Sequence, residues 1–367
     1  MKIVDGAGKG SEVAGESKAK VIPLHSNSSR GSAQRRAAAR ADSSRRHPSV
    51  LTDPGGRASA EQIAAVVHEI DQVRGASFAA GSADEDPNEL AQRIAAVAEF
   101  LRKRMAGDYV VDEFGFDEHL NESIFLPLLR GLFRHWFRVE VSGIENLPVE
   151  GAGLVVANHA GVLPIDGLMT QVAVHDEHPA HRNLRLLAAD LVFDMPGVGQ
   201  AARKAGHTMA CTADAHRLLA AGELTAVFPE GYKGLGKHFR DRYKLQRFGR
   251  GGFVASALQA KAPIIPCSIV GSEEIYPMIA DVKLLARLLG LPYFPVTPLF
   301  PLAGPAGLIP LPSKWHIQFG EPISTDGYDE YAAEDPMVTF ELTDQVRETI
   351  QQTLYQLLAN RRNMFLG

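Results

Sequence analysis

A histidine and an aspartate stand seven positions apart in the segment VVANHAGVLPIDG, residues 155–167. The apolar residues before His159 are typical of a buried strand, so we expect the imidazole where that strand ends. A neutral imidazole can take a proton at neutral pH, and a carboxylate such as Asp166 can hold the ring in one tautomer. The pair is therefore a candidate for general acid–base catalysis.

A second candidate motif, Phe228-Pro229-Glu230-Gly231, follows the apolar stretch LTAV. Gly231 would let the backbone approach a ligand closely, with N–H groups available for an oxyanion or a phosphate. Glu230 either binds a polar group of the ligand or supports the loop. Residues 233–250 then hold seven basic residues and one acid, which predicts attraction of phosphates, with a solvated loop as the alternative.

The elements that must position these motifs alternate between strand and helix. Strands are predicted in LVVANH, LRLLAAD, TAVFPEG, PIIPCSIVG and KWHIQFG, and helices at 166–175, 212–222, 251–261 and 338–361. This order predicts an α/β fold with a largely parallel sheet flanked by helices. The carboxyl ends of parallel strands share one edge, so we expect Asn158-His159, the FPEG motif and the run containing Pro266 to gather there.

The chain before residue 121 has a different character. Residues 1–58 are rich in Ser, Ala, Gly and Arg, which predicts a disordered basic tail, either solvated or tethered to anionic lipid. Residues 59–120 predict a helical region, followed by a domain at 121–367. A helix at 122–138 carries arginines beside Trp and Phe, so it either lies at a lipid interface or packs on the domain. Helices are also predicted at 60–75 and 87–106, the latter with an apolar face of Leu90, Ile94, Val97, Leu101 and Met105.

Composition excludes several classes of protein. The 367 residues are 45% hydrophobic and 22% charged, as in globular proteins, and the net charge of −5 argues against a nucleic-acid binder. Cys211 and Cys267 form no disulfide framework or zinc spacing, so we expect no metal and a reducing compartment. We also expect no signal peptide and no transmembrane helix. The apolar segment 284–312 is broken by Pro and Gly, which favours either a non-spanning flap or a core excursion.

Taken in order, these motifs resemble the glycerophospholipid acyltransferase family, which includes the 1-acylglycerol-3-phosphate (lysophospholipid) acyltransferases. The resemblance spans residues 139–325 and includes the approach VSGIENLPVEGAGLVVANH, FPEG and APIIPCSIVG. It implies transfer of a fatty acyl group from acyl-CoA or acyl carrier protein to a hydroxyl of a lysophospholipid or glycerol phosphate-type acceptor. It also implies no further cofactor, and a cytoplasmic location, peripheral on an anionic membrane face.

The resemblance implies that His159 is the general base and that Asp166 is its partner. No serine or cysteine nucleophile is needed, because the acceptor's own hydroxyl attacks, and the chain has no G-x-S-x-G turn. The substrate-binding residues it implies are Asn158, Phe228, Pro229, Glu230, Gly231, Lys233 and Pro266, and the basic run adds Lys237.

The sequence departs from the family pattern at three points, and these leave the acceptor open. Six residues instead of four separate His159 from Asp166, and Lys233 stands where an arginine is usual. The family's second motif, with its phosphate-binding arginine, has no match in AGHTMACTADAHR, although Arg203, Lys204 and Arg217 are near. A non-phosphorylated or specialised lipid alcohol is therefore an alternative acceptor. Hydrolysis by a histidine-dependent esterase and non-catalytic lipid binding are further alternatives.

Overall fold

The computed structural model describes residues 87–249, 251–329 and 331–366, with side chains from residue 97 onward. The predicted tail at 1–58 and the predicted helix at 60–75 lie outside these residues. The boundary between 59–120 and 121–367 stays a prediction.

The described chain alternates between strands and helices. Its strands are β1 Glu140–Ser142, β2 Gly153–Ala157, β3 Leu184–Ala188, β4 Thr208–Met209, β5 Leu224–Val227, β6 Ile264–Val270, β7 Ala280–Asp281, β8 Pro295–Val296 and β9 His316–Phe319. Its α-helices are α1 Pro87–Ala106, α2 Glu118–Leu120, α3 Leu126–Gly131, α4 Ile165–Glu177, α5 Asp190–Asp194, α6 Val198–Lys204, α7 Thr212–Ala220, α8 Tyr232–Leu235, α9 Gly252–Gln259, α10 Lys283–Leu289 and α11 Pro336–Asn360.

Seven of these strands form one sheet in the order β1-β9-β6-β2-β5-β3-β4. Every pair in it is parallel except β6 and β9, which run antiparallel. The largely parallel α/β fold predicted from the alternation of elements is thereby confirmed. The central strands β2 and β6 are buried along their whole length, as strands covered by helices on both faces must be.

The core lies on both faces of the sheet, because successive side chains of a strand point to opposite sides. On β2, Val155 and Ala157 belong to one apolar cluster, whereas Leu154 and Val156 belong to the other. The second cluster is covered by α9 and α11, whose buried residues include Val254 and Val346.

The helix predicted at 87–106 is present as α1, and its predicted apolar face is only partly covered where side chains are described. Val97 and Met105 are exposed, Leu101 is half-buried, and Phe100 is buried with its ring stacked on His119 at 5.3 Å. The packing partner of α1 lies outside the helix, so helical spacing alone does not identify its buried face.

The helical segment 118–136 packs on the domain. It combines α2 and α3 with π-helical stretches Asn121–Phe125 and Leu132–Trp136. Arg130 and Arg134 both bind Asp176 of α4, at 2.7 and 3.0 Å, and Phe133 is buried. Two of the three arginines that suggested a lipid interface thus form ion pairs, and Arg138 donates to backbone carbonyls such as that of Pro312, which favours the packing alternative. No helix of the described residues is long and apolar enough to cross a membrane.

Candidate active site

The candidate site forms where two adjacent parallel strands end. Val156 of β2 is in register with Val227 of β5, so Asn158-His159 and the FPEG motif leave the sheet side by side. The prediction that they meet at one edge is confirmed by this register. Pro266 differs from that prediction, because β6 continues to Val270 and Pro266 lies inside the strand, opposite Val156.

His159 and Asp166 are in direct contact. Nδ1 of His159 lies 2.7 Å from Oδ2 of Asp166, a distance at which the ring N–H donates to the carboxylate. The carboxylate is fully buried and accepts two backbone N–H bonds, from Ala160 and from Gly167, each at 2.9 Å. These bonds fix the carboxylate and, through it, the plane of the imidazole.

The six residues between His159 and Asp166 fold into a tight loop. Gly161 has a φ of +96°, and a Cβ there would lie 2.6 Å from the carbonyl oxygen of Ser272. Val162 has a φ of +63°, which a β-branched residue rarely adopts. Its N–H donates to Leu235, and its carbonyl accepts the hydroxyl of Tyr293. The longer spacing therefore does not separate histidine from aspartate.

The second ring nitrogen of His159 is available. No described residue makes a hydrogen bond to Nε2, and 10% of the side chain is accessible. The ring packs against Phe228 with 4.5 Å between centroids, so one face is covered by an apolar group. A base needs this arrangement, with one nitrogen oriented by a carboxylate and the other open to a substrate proton.

Glu230 and Lys237 lie in a buried ion cluster. Oε1 of Glu230 accepts the N–H of His159 at 2.9 Å, and Oε2 accepts the N–H of Gln246 at 2.6 Å. Lys237 reaches Glu230 at 3.4 Å and Glu273 at 3.1 Å. Both predicted binding residues are thus occupied by protein partners, and the geometry favours a positioning role for them.

The remaining predicted residues divide into buried and open ones. Asn158 is buried, and its amide exchanges two hydrogen bonds with the backbone of Ile269, which ties the end of β2 to β6. Pro229 is half-buried, whereas Gly231 and Lys233 are exposed. The N–H of Gly231 already donates to Phe228, so that group is not free for an oxyanion. Phe228 and Lys233 are left as the predicted residues best placed to meet a substrate.

Gly234 was not singled out from the sequence, yet it sets the position of His159. A Cβ on Gly234 would lie 2.5 Å from the carbonyl oxygen of His159 and 2.9 Å from its Cβ. Such distances are not tolerated, so only glycine lets α8 lie against the histidine. Gly234 and Gly236 follow closely after the FPEG motif, and this spacing is the feature of the sequence that indicates a close approach of the backbone there.

Gly234→Ala is expected to lower turnover by about 10²-fold, because even a small displacement of His159 disturbs its approach to the substrate. Steady-state kinetics measure this. Gly131→Ala is the matched control, since Gly131 is also helical and a Cβ there meets nothing within 4 Å. Equal turnover in both variants would show that the close contact does not position the histidine.

Glu273 predicts a pH dependence of stability. Burial raises the pKa of its carboxyl to about 7, partly offset by Lys237 and the N–H of Tyr243. A raised pKa means that the folded state binds the proton more tightly, so this group destabilises the fold as pH rises from about 4.5 to 7. Glu273→Gln is expected to reduce that loss by about 1–3 kcal/mol, measured as unfolding free energy against pH. An unchanged pH slope would contradict it.

The arginines considered for the missing phosphate motif are engaged elsewhere. The Arg203 guanidinium lies over the Phe193 ring at 4.6 Å, and Arg217 pairs with Asp214 at 3.4 Å and with Glu113. Arg185, on β3, is buried and pairs with Asp112 at 2.7 Å. Two residues of the basic run, Arg242 and Lys244, instead line a surface pocket of about 510 Å³ together with Arg361 and Arg362, which follow α11.

The sequence of the chain is similar to those of several known proteins. Residues 138–270 match the family described as Acyltransferase. The chain is 74% identical to an uncharacterized protein of Mycobacterium tuberculosis, over 97% of this chain and 99% of that protein. A Bos taurus protein named DGAT1/2-independent enzyme synthesizing storage lipids is 26% identical over 59% of each chain. The crystal structure of the 1-acyl-sn-glycerophosphate (LPA) acyltransferase PlsC from Thermotoga maritima aligns with a TM-score of 0.44 and 21% identity, over 67% of this chain and 84% of that chain.

Residues 138–270 therefore form a domain of the Acyltransferase family, as the motifs predicted. The matched residues 138–270 contain both His159 and the FPEG motif. Membership supports an acyltransferase that acts in lipid metabolism.

Proposed function

We propose that the protein transfers a fatty acyl group from acyl-CoA or acyl carrier protein to a hydroxyl of a lysophospholipid or glycerol phosphate-type acceptor. His159 is the general base, oriented by Asp166, and no covalent acyl-enzyme forms. The observation that carries the proposal is the 2.7 Å contact between these side chains beside an imidazole nitrogen that no described residue occupies.

The reaction follows from this geometry. Nε2 of His159 takes the proton of the acceptor hydroxyl as its oxygen attacks the thioester carbonyl carbon. The tetrahedral intermediate then collapses, the carbon–sulfur bond breaks, and the imidazolium returns the proton to the departing thiolate. Asp166 stabilises the imidazolium, which is the role that the acid has in a Ser-His-Asp triad.

The two cysteines are unsuited to a covalent intermediate. Cys267 is buried, and burial together with the nearby Asp166 carboxylate raises its pKa, so the sulfur stays a thiol. Cys211 is exposed at the start of α7, where its sulfur accepts the N–H of Asp214, and it makes no hydrogen bond to the His159 ring that would deprotonate it during catalysis. Within the described residues, no serine, threonine or cysteine side chain is hydrogen-bonded to the His159 ring. Direct attack by the acceptor is therefore favoured.

A second candidate acceptor is a non-phosphorylated lipid alcohol. The arginines near the expected phosphate motif are stacked or ion-paired, and Lys237 is buried among carboxylates. Lys233, two residues after the FPEG motif, is an exposed cation without such a partner among the described residues. The likeness to proteins named as enzymes synthesizing storage lipids points the same way.

Mass identification of products decides between these acceptors. The purified protein is given acyl-CoA with either lysophosphatidic acid or monoacylglycerol, and thiol release is followed alongside the lipid product. Acylated phospholipid supports the first acceptor, and acylated neutral glyceride supports the second. Free fatty acid formed without any acceptor would indicate a hydrolase. No release of thiol under any condition would contradict the proposed activity.

We also propose that the protein works at the surface of a membrane, since the acyl donor and a lysophospholipid acceptor both carry fatty chains. The predicted basic tail would add attraction to anionic lipid, at about 1 kcal/mol for each basic residue near the surface. Sedimentation with vesicles of phosphatidylglycerol at low and high salt measures this contribution.

A further inference from the structure

An unusually apolar surface segment lies beside the candidate site. We call residues 279–309 the apolar excursion; it contains β7, α10, β8 and the loop that follows. Of the 29 large apolar side chains exposed in the part of the chain that the structure describes, ten lie in this segment. They are Ile279, Leu284, Leu285, Leu288, Leu289, Leu291, Leu299, Leu302, Leu308 and Ile309. Exposed apolar side chains concentrated to this degree mark an interaction surface.

Helix α10 presents its leucines outward. Leu284 and Leu288 are 77% and 79% exposed, Leu285 and Leu289 are also exposed, and only Ala286 is buried. An ordinary surface helix of a soluble protein does the reverse and turns its leucines to the core. The outer side of α10 therefore presents an apolar surface to its surroundings.

The excursion is held in this exposed form by specific contacts. Strands β7 and β8 pair antiparallel on either side of α10. The Tyr276 hydroxyl donates to the carbonyl of Leu308, and the N–H of Leu311 donates to Ile275. The exposure of the leucines is thus a property of the folded chain.

The charges around these leucines suit an anionic bilayer. Lys283 and Arg287 are exposed on the same short helix, whereas the one acid of the excursion, Asp281, accepts the N–H of Phe294. Trp136, 38% exposed, donates its indole N–H to Pro310 at the end of the excursion. Leucines with flanking cations and a tryptophan form the combination found where proteins rest in a lipid interface.

The excursion also contacts the catalytic loop. Tyr293 donates its hydroxyl to the carbonyl of Val162, between His159 and Asp166, and its ring packs against Gly236. Leu163, next in that loop, is 39% exposed. The apolar surface is therefore joined to the residues that carry the base.

We propose that the apolar excursion docks on a bilayer that contains anionic lipid, with the leucines of α10 inserted at the level of the acyl chains. This inference rests on the proposed lipid acyltransferase function and assigns its membrane contact to one surface. A fatty substrate then reaches His159 from the bilayer without its chain crossing water.

Vesicle sedimentation of the full chain tests the surface. Leu284→Glu/Leu288→Glu is expected to weaken binding to vesicles of phosphatidylcholine with phosphatidylglycerol by at least about tenfold, because two apolar anchors are lost. The difference should persist at high salt, where attraction of basic residues is screened. Leu302→Glu, at a site 90% exposed, is expected to act in the same direction. Met337→Glu/Phe340→Glu on α11 is the matched control, since both residues are equally open, and it should bind like the wild type.

Wild-type binding by both excursion variants would overturn the proposal. So would a wild-type dimer in gel filtration that becomes a monomer on Leu284→Glu/Leu288→Glu, because a second copy would then cover the surface. Thiol release from a short-chain acyl-CoA and a water-soluble acceptor separates this inference from the proposed function. The excursion variants should retain that activity. If the wild type itself released no thiol in this assay, the proposed function would be contradicted, whereas the result of the vesicle experiment would still stand.

Discussion

Asp166→Asn is expected to lower kcat by roughly 10³- to 10⁴-fold with a small change in KM. The carboxylate both holds the His159 ring through Nδ1 and stabilises its positive charge after proton transfer. An amide of the same shape keeps the packing but can present an N–H to the ring, which turns the imidazole to the wrong tautomer. Steady-state thiol release measures the loss.

The control for this variant is a second aspartate at a helix start. Asp335 is exposed at the start of α11, where its carboxylate accepts the N–H of Met337, so Asp335→Asn changes the same chemistry on another element. We expect it to keep wild-type turnover. Wild-type kcat in Asp166→Asn itself would show that the contact seen in the structure does not orient the base.

His159→Ala is expected to lower kcat by about 10²- to 10⁴-fold, the range for loss of a general acid–base group. Acyl-CoA and acceptor should still bind, because the groups proposed to meet them are elsewhere, so KM should change little. Thiol release with the best acceptor measures kcat and KM together. His175→Ala, a half-buried histidine paired with Asp176, is the matched control.

Thermal melting distinguishes a chemical loss from a structural one. The ring of His159 packs on Phe228, so its removal leaves a small cavity, yet the ion cluster of Glu230, Lys237 and Glu273 contacts only its backbone. We expect a folded variant with a modestly lowered melting temperature. Equal turnover by His159→Ala and the wild type on every acceptor would remove the proposed role.

The His159–Asp166 contact could be predicted from the sequence, because each residue lies next to a recognisable element. An apolar strand ends before His159, and α4 begins at Ile165, so both are local signals. The intervening loop closes despite its length because Gly161 and Val162 adopt positive φ. The left-handed conformation of a valine is imposed by tertiary contacts, which single-sequence reasoning does not reveal.

The ion cluster could not be predicted in the same way. For Glu230 the sequence predicted either a contact with a polar group of the ligand or support of the loop, and for Lys237 it predicted attraction of a phosphate. Lys237 instead binds both Glu230 and Glu273, and Glu273 lies beyond the next helix and strand, so nothing in the local pattern joins them. Pro266 was placed at a strand end for a similar reason, since the length of β6 depends on its pairing with β2 and β9.

The sequence left two interpretations open for the segment that contains the leucines of α10. The segment 284–312 predicted either a flap or a core excursion, and composition is the same for both. The observed exposure favours the flap over the core excursion, because four leucines of α10 point away from the core.

The central claim is that the acyl group passes directly from the thioester to the acceptor hydroxyl, with His159 taking the proton. Intact-protein mass spectrometry of samples quenched during turnover with acyl-CoA tests it most directly. We predict the unmodified protein mass throughout, while acylated acceptor accumulates. A protein heavier by one acyl group, formed before acceptor is added and discharged when acceptor arrives, would contradict the claim.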